Sequence, residues 1–468
     1  MPRDLPLEAG TLFRFIAART GGEIAAGARM SELSGGAVLR HFRLDFDVQG
    51  GAFAGPQSWV LRTEGLTKLG IGLTRAKEFA VQRVLFRAGL EVAEPLFTCC
   101  DESMLGAPFF LMRRIEGEAA GDAVTGQGEN VALAASLARM LARLHGLDLR
   151  GALHCLGRPP EDAASARLAE LQRHLAADDD PHPVAQWALR WLAREKPMPA
   201  PAVLCHGDFR TGNYLVEAGA LTGVLDWDFA QWSDPDEDIG WFCSRHWRFG
   251  APAREAGGIA PRQSFYRAYE AAAGRSLDPR RILYWEVMAA LRWLVIALKQ
   301  CDRFLKQGER SLDLALTGRR VAECEHVILA LTTKRMRGAA PDGPQAASRG
   351  EGGMRDRPSG EELAALARAI GGDDALARRC AAIAAREQAA GEGAFASARA
   401  RLGARYGAAD DCTLLARLAA EIRAGVFDPA GTARDWACGV MGEITRQKLC
   451  ASNPAFLAES AALQDLMT

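Results

Sequence analysis

The sequence predicts an α+β protein of two lobes, a small antiparallel-sheet lobe and then a larger, mainly helical one, followed by a linker and a small all-α domain. Three observations predict this. Residues 30 to 65 (SGGAVLRHFRLDFDV, then SWVLRTE) alternate apolar and polar around glycines, the period of half-buried strands. From about residue 130 the apolar spacing becomes helical, with two short strands inserted. Residues 336 to 360, MRGAAPDGPQAASRGEGGMRDRPSG, offer almost nothing to bury, and the chain beyond them is rich in Ala and Arg at helical spacing. The length, 468 residues, suits about three units of roughly 150 residues each. The boundaries predicted are 1–110 and 111–335 for the two lobes, 336–358 for a flexible linker and 359–468 for the helical domain.

Each element has its own local reason. TRAKEFAVQRVLFRAG reads as a helix closed by Gly89, and PFFLMRRIEG as a buried strand running into a connector. VALAASLARMLARLHGL, the segment around Trp187 and Trp191, and the stretch 279–306 read as helices. Strands at 214–217 and 221–226 make a small hairpin. Near the end, TARDWACGVMGEITRQKLCASNPAFL is an amphipathic helix stopped by Asn453-Pro454.

Composition narrows the function classes. Lys and Arg total 57 against 58 Asp and Glu, so no global field draws the chain to nucleic acid or anionic lipid, and neither is expected as a partner. Eleven cysteines, an odd number without any C-x-x-C, suggest free, mostly buried thiols in a reducing compartment. The opening MPRDLPLEAGTLFRFIAART lacks a secretory plan, and the most apolar stretch, Val287 to Leu298, is broken by Arg292 and too short to span a bilayer. A cytoplasmic protein is expected. The eight dispersed histidines hold no H-E-x-x-H, and neither a P-loop nor a G-x-S-x-G elbow occurs.

The chemistry concentrates in Leu204-Cys205-His206-Gly207-Asp208-Phe209-Arg210-Thr211-Gly212-Asn213 and, across the hairpin, Gly223-Val224-Leu225-Asp226-Trp227. An Asp, an Asn five positions later and a second Asp at the end of the return strand suit phosphoryl transfer from ATP. One carboxylate orients the acceptor hydroxyl and takes its proton, and two oxygen ligands hold the divalent ion on the phosphates. Asp208 is the candidate base; Asn213 and Asp226 are the candidate Mg²⁺ ligands. H-R-D-x-x-x-x-N followed by D-F-G in protein kinases follows the same logic.

HGDFRTGN followed by GVLDWDFA resembles the aminoglycoside phosphotransferase-like branch of the protein-kinase-like superfamily, over roughly residues 10 to 335. The resemblance implies a bilobal fold with ATP between the lobes and a small-molecule acceptor. It places Ser34, Gly35 and Gly36 in the phosphate-covering loop, and Arg62, where the usual residue is Lys, against the α/β-phosphates, with Lys68 as the other possibility. Glu78 would hold that cation. Met112 and Arg113 would lie in the connector that receives adenine. Asp238, first of all a helix N-terminal acid, would tie down the catalytic loop, which His206 would help to order.

Helices after Asp238 should build the acceptor pocket. They carry Trp241, Trp247, Tyr266, Tyr269, Trp285, Arg292 and Trp293 with few carboxylates, which favours an apolar or anionic acceptor over a polyamine. VLR in the third strand region, paired with HGDFR-x-GN, resembles the acyl-CoA-dehydrogenase-associated kinases, which phosphorylate the hydroxyl of 4-hydroxyacyl-CoA and so turn a poor leaving group into a good one. From Met354 the tail resembles a small helical protein encoded beside or fused to such kinases, and it is expected to dock on the kinase body, regulate it or mediate oligomerisation. A kinase for another small alcohol or an aminoglycoside stays open, as does a nucleotide-binding pseudokinase, although Asp208, Asn213 and Asp226 are all present.

Overall fold

A computed structural model describes residues 8–33, 39–64, 72–333, 354–370 and 375–466. The phosphate-loop candidates Ser34, Gly35 and Gly36, and Lys68, lie outside the described residues. The contacts divide the chain into two units.

The first unit comprises 1–163, 200–243 and 247–278. Its main sheet is antiparallel, with strands β1 (Glu23–Ile24), β2 (Arg29–Leu33), β3 (Leu39–Gln49), β4 (Gly55–Glu64), β5 (Pro95–Cys99) and β6 (Phe109–Arg113). The order is β1-β3-β4-β6-β5, with β2 also on β3. The period of two sets both faces. Phe42, Leu44, Phe46 and Val48 of β3, with Trp59 and Leu61 of β4, pack under Leu12 and Ile16 of the helix Ala9–Thr20. Val60 of β4, with Phe110 and Met112 of β6, points the other way onto Phe79 of the helix Arg75–Arg87. Arg62 shares the parity of Val60 and so faces the same helix.

The rest of the first unit builds the loops. β7 (Val203–Cys205) pairs with β10 (Gln231–Ser233), while β8 (Tyr214–Glu217) and β9 (Ala220–Val224) form the hairpin between them. Loops 206–213 and 225–230 therefore start and end at one two-stranded base. Helix Val131–Gly146 buries Leu133, Leu137, Leu141 and Leu144 on one stripe and ends beside that base at His145.

The second unit comprises 164–199, 244–246 and 279–468 and is helical. Pro183–Arg194, Pro279–Leu305 and Val321–Thr332 share a continuous core with Ala396–Tyr406, Asp411–Arg423 and Thr432–Ser452. Helices of the expected second lobe and of the expected tail thus form one compact body. Between them, Met354, Asp356 and Pro358, which composition placed in a flexible linker, are buried. Met354 joins the core, and Arg319 donates to the carbonyls of Asp356 and Pro358 at 3.1 and 2.9 Å. The linker residues 336–353 lie outside the described residues. Asn453 caps the helix that ends at Ser452, and Pro454 opens the next, where its missing N–H costs nothing.

None of the eleven cysteines is in a disulfide, as expected. Only Cys205, Cys243, Cys301, Cys324 and Cys380 are buried, so the expectation of mostly buried thiols fails. Among the described residues no helix is long and apolar enough to cross a membrane.

Met354→Ala should lower the unfolding free energy by about 2–5 kcal/mol in urea titrations, the cost of emptying a core site. A change near zero would return this residue to a linker.

Candidate active site

The loop after β7 is held from below by one carboxylate. Asp238, fully buried, accepts the main-chain N–H of His206 at 2.7 Å and of Gly207 at 2.9 Å, and His145 Nε2 lies 3.2 Å away. Burial alone would raise the Asp238 pKa, but His145 and the main-chain donors bring it below the usual carboxylate range. His145 is held by the Tyr269 hydroxyl at 2.8 Å, which in turn receives Arg275 at 3.1 Å. Burial pushes the Tyr269 phenol up to about 12, which keeps it a neutral donor. Cys205 lies close enough to His145 and Asp238 for the three to resemble a metal-ligand cluster. The hydrogen bonds that Asp238 already makes account for it as a loop anchor.

His206 occupies the space between the two loops. Its Nδ1 accepts from the Asp208 N–H at 3.1 Å and its Nε2 meets the Leu225 carbonyl at 2.8 Å, so the neutral Nε2–H tautomer satisfies both. Gly207 has φ 78°, and a Cβ there would stand 2.1 Å from the Phe229 carbonyl oxygen, so glycine is required twice over.

Asp208, Asn213 and Asp226 follow from this frame. Asn213 Nδ2 donates to the Asp208 Oδ2 at 2.6 Å and to its carbonyl at 2.9 Å, which leaves the Asn213 Oδ1 for another partner. Trp241 Nε1 donates to Asp208 Oδ1 at 2.8 Å. Arg210 Nε lies 3.2 and 3.3 Å from the two Asp208 oxygens, and its guanidinium stacks 4.7 Å over Trp247. The Leu225 N–H donates to the Asn213 carbonyl at 2.8 Å, joining the two loops one residue before Asp226. Asp226 itself sits at φ 63°, a left-handed conformation that Asp tolerates better than most residues.

A charge cluster backs Asp226. Arg62, 4% exposed, pairs through Nε with Glu78 at 2.9 Å, donates to His41 Nε2 at 2.5 Å and donates to Asp226 Oδ1. His41 stands opposite Arg62 in the β3–β4 register. Burial and the nearby guanidinium drop the His41 pKa to about 3, so it accepts as a neutral ring. Burial would raise the Asp226 pKa, yet Arg62 holds it well below the usual range. Arg75, 2% exposed, donates to Glu78 and to Asp228 Oδ1 and lies 3.5 Å from Glu64.

The structure thus brings Asp208, Asn213 and Asp226 together, Arg62 with Glu78, and His206 with Asp238. Met112 and Arg113 differ from expectation. Both belong to β6, which runs one residue past its apolar stretch to Arg113, and the Arg113 N–H is spent on the Glu94 carbonyl at 2.8 Å. Among the described residues, the first main-chain N–H groups past β6 without a partner are those of Ile115 and Glu116. Of the aromatic candidates, Trp241 and Trp247 lie at Asp208, Tyr269 serves the loop anchor, and Trp285 is fully buried in the second unit's core. Residues that sequence reasoning missed are His41, Arg75, Asp228 and Phe249. Phe249 is 38% exposed at φ 39°, and its ring lies about 4.0 Å from where a Cβ on Gly212 would be. The repeated Asp in Leu225-Asp226-Trp227-Asp228 was the one available signal for Asp228.

Residues 55–282 match the model of the phosphotransferase enzyme family, and residues 375–456 match DUF6285, a domain of unknown function. The chain is 34% identical over 171 residues to acyl-CoA dehydrogenase family member 11 of Gallus gallus, covering 35% of this chain and 22% of that one. It is 26% identical over 307 residues to the Mus musculus protein of the same name, covering 61% of this chain and 39% of that one. It therefore spans about a fifth to two fifths of these relatives. A Ralstonia eutropha crystal structure, provisionally assigned as an aminoglycoside phosphotransferase, superposes with TM-score 0.54 at 19% identity, over 69% of this chain and 98% of that one. A spectinomycin phosphotransferase in complex with ADP and spectinomycin superposes with TM-score 0.50 at 15% identity, over 70% and 99%. The fold is kinase-like, with an antiparallel N-lobe sheet, a helical C-lobe and a further helical region.

Asp238→Asn should cost about 3 kcal/mol or more, since hydrogen bonds to a charged acceptor are each worth roughly 1.5–3. The sign of the pH dependence follows. A carboxyl whose folded pKa is depressed contributes its full stability above the unfolded value of about 3.9, and loses it as pH falls through the folded value. Denaturant midpoints measured from pH 6 to pH 2 should therefore fall less steeply for Asp238→Asn than for the wild type.

Proposed function

We propose that this phosphotransferase-family chain is an ATP-dependent kinase that transfers the γ-phosphate to the hydroxyl of a small molecule, and that the acceptor is a hydroxyacyl-CoA. The observation that carries the reading is the convergence of Asp208, Asn213 and Asp226 on two loops joined by one main-chain hydrogen bond. A carboxylate offers about four lone-pair sites. Trp241 and Asn213 each take one of these sites on Asp208, and the single Arg210 Nε–H is shared between its two oxygens at 3.2 and 3.3 Å, a weak three-centre contact that an acceptor hydroxyl can displace. In the transfer, Asp208 takes the hydroxyl proton, the acceptor oxygen bonds to the γ-phosphorus, and the bond from that phosphorus to the β–γ bridging oxygen breaks, leaving ADP.

The donor set suits Mg²⁺. With Nδ2 spent on Asp208, the Asn213 Oδ1 is a hard oxygen without another partner, and Asp226 keeps Oδ2 while Oδ1 meets Arg62. Glu64, Glu78, Asp226 and Asp228 face only two guanidinium groups, Arg62 and Arg75, so the cluster has carboxylate to spare for a divalent ion. When bound, Mg²⁺ would neutralise phosphate charge as it develops. The Arg210 guanidinium, stacked on Trp247 beside Asp208, is a further cation for that charge. The main-chain N–H groups of Ile115 and Glu116 are the receptors we assign to adenine.

The acceptor class rests on the side chains around Asp208. Arg210, Trp241, Trp247 and Phe249 are cationic or aromatic, whereas a polycationic aminoglycoside needs carboxylates to pair its ammonium groups. A CoA thioester brings phosphate anions and an apolar chain, which the partly exposed Arg210 and the exposed Phe249 ring suit. The acyl-CoA family name of the two relatives supports the same choice.

Purified protein with Mg-ATP and a panel of hydroxyacyl-CoAs, free hydroxy acids and aminoglycosides should add one phosphate to the hydroxyacyl-CoAs, read by mass spectrometry. Asp208→Asn should lower kcat by about 10²–10⁴-fold with the KM for Mg-ATP little changed. Asp226→Ala should abolish Mg²⁺-dependent ADP binding. Phosphorylation of aminoglycosides alone would overturn the acceptor; a near wild-type rate for Asp208→Asn would overturn the role of Asp208.

A further inference from the structure

We propose that Arg75 is a positioning residue for the metal-binding loop, acting as a strut that holds Asp228 so that Asp226 can face the Mg²⁺ of a bound nucleotide. The inference rests on the kinase reading above and deepens it. Two arginines reach the Asp226-Trp227-Asp228 loop from the same glutamate. Arg62 joins Glu78 to Asp226, and Arg75, three residues before Glu78 on its helix, joins Glu78 to Asp228. The Arg75 strut is doubled by the main chain, because the Leu73 N–H donates to the Asp228 carbonyl at 2.7 Å and Arg75 donates to the Leu73 carbonyl at 2.8 Å.

Asp228 is not placed as a metal ligand. It is 5% exposed, one oxygen is taken by Arg75, and Gly72 packs so closely on it that a Cβ there would stand 2.3 Å from the other oxygen. Its carboxylate therefore faces the start of the helix Arg75–Arg87. Two carboxylates two residues apart on one tight loop repel when both are charged. Arg75 absorbs that repulsion by pinning Asp228, and a guanidinium is needed because its fork serves Glu78 and Asp228 at once. Without it, Asp228 would lose its counter-charge and the loop would reorient, carrying Asp226 from the geometry that Arg62 sets.

Calorimetric titration of ADP over a range of Mg²⁺ concentrations, with thermal melts as the folding control, tests this without reliance on turnover. Arg75→Met should raise the Mg²⁺ needed for half-maximal ADP affinity by about tenfold or more, while ADP affinity without Mg²⁺ changes little. Arg75→Lys should fall between it and the wild type. The double variant Arg75→Met/Asp228→Asn should recover to within about threefold of wild type, because it removes the repulsion along with the strut. A simple loss of packing would not be repaired by a second substitution, nor would it single out Mg²⁺. Arg75→Met with wild-type Mg²⁺ dependence overturns the proposal. So does a double variant at least as impaired as Arg75→Met, the result expected if Asp228 itself bound the metal. Should Arg75→Met not fold, Arg75→Lys and the double variant decide between the same outcomes. Absence of Mg²⁺-dependent ADP binding in the wild type would instead sink the kinase reading itself.

Discussion

Arg62, Arg75 and Glu78 lie almost wholly out of water, and a buried charge is tolerated only where an opposite charge and hydrogen bonds stand within reach. That requirement organises the loop after β9. Glu78 is buried against both arginines, and both arginines have donors left over that end on Asp226 and Asp228. The loop is thus set by charge balance issuing from the strand β4 and the helix Arg75–Arg87, with the left-handed backbone at Asp226 held in place by the same bonds. Removing any one member leaves another buried charge uncompensated, so the cluster behaves as a unit.

A second hub complements it. Asp238 fixes the loop after β7 by taking two consecutive main-chain N–H groups, and His206 passes that position on to Leu225 in the neighbouring loop. The two hubs hold the two loops that carry Asp208, Asn213 and Asp226. The frame beneath Asp208 and Asn213 is built from main-chain hydrogen bonds onto one buried carboxylate, whereas the frame behind Asp226 is built from ion pairs. The proposed transfer suits this division: a base must keep a fixed orientation toward its acceptor, and a metal ligand must present negative charge.

The second unit reads differently. Its core takes in Tyr284, Trp285 and Leu291 together with Leu402, Leu415, Leu418 and Met441, so the DUF6285 segment and the helices before it bury one continuous apolar body. Buried charge recurs there. Lys448 lies 3.1 Å from Glu325, and Arg319 pairs with Glu387 while holding the carbonyls of Asp356 and Pro358. Gly- and Pro-rich composition between 336 and 360 signalled little burial, yet Met354 is in the core. Composition counts the apolar residues of a segment, whereas packing depends on where the few present are placed.

Local periodicity was enough for the elements with a strong pattern. The strict alternation from Phe42 to Val48, the leucine stripe of Val131–Gly146 and the stop at Asn453-Pro454 are all properties of neighbouring residues. The short strands β1, β5 and β10 escaped, because runs of two to five residues carry too few periods to be read. Asp208, Asn213 and Asp226 were legible as a motif, since they stand on consecutive loops joined by one hairpin and their spacing is a matter of chain order. Arg75 and Asp228 were not, since they meet across 153 positions and nothing around either one names the other. What the sequence determined by itself was each element's buried face and the identity of the chemical groups. The tertiary structure alone decided which buried charges met, because charge compensation acts through space and is blind to distance along the chain.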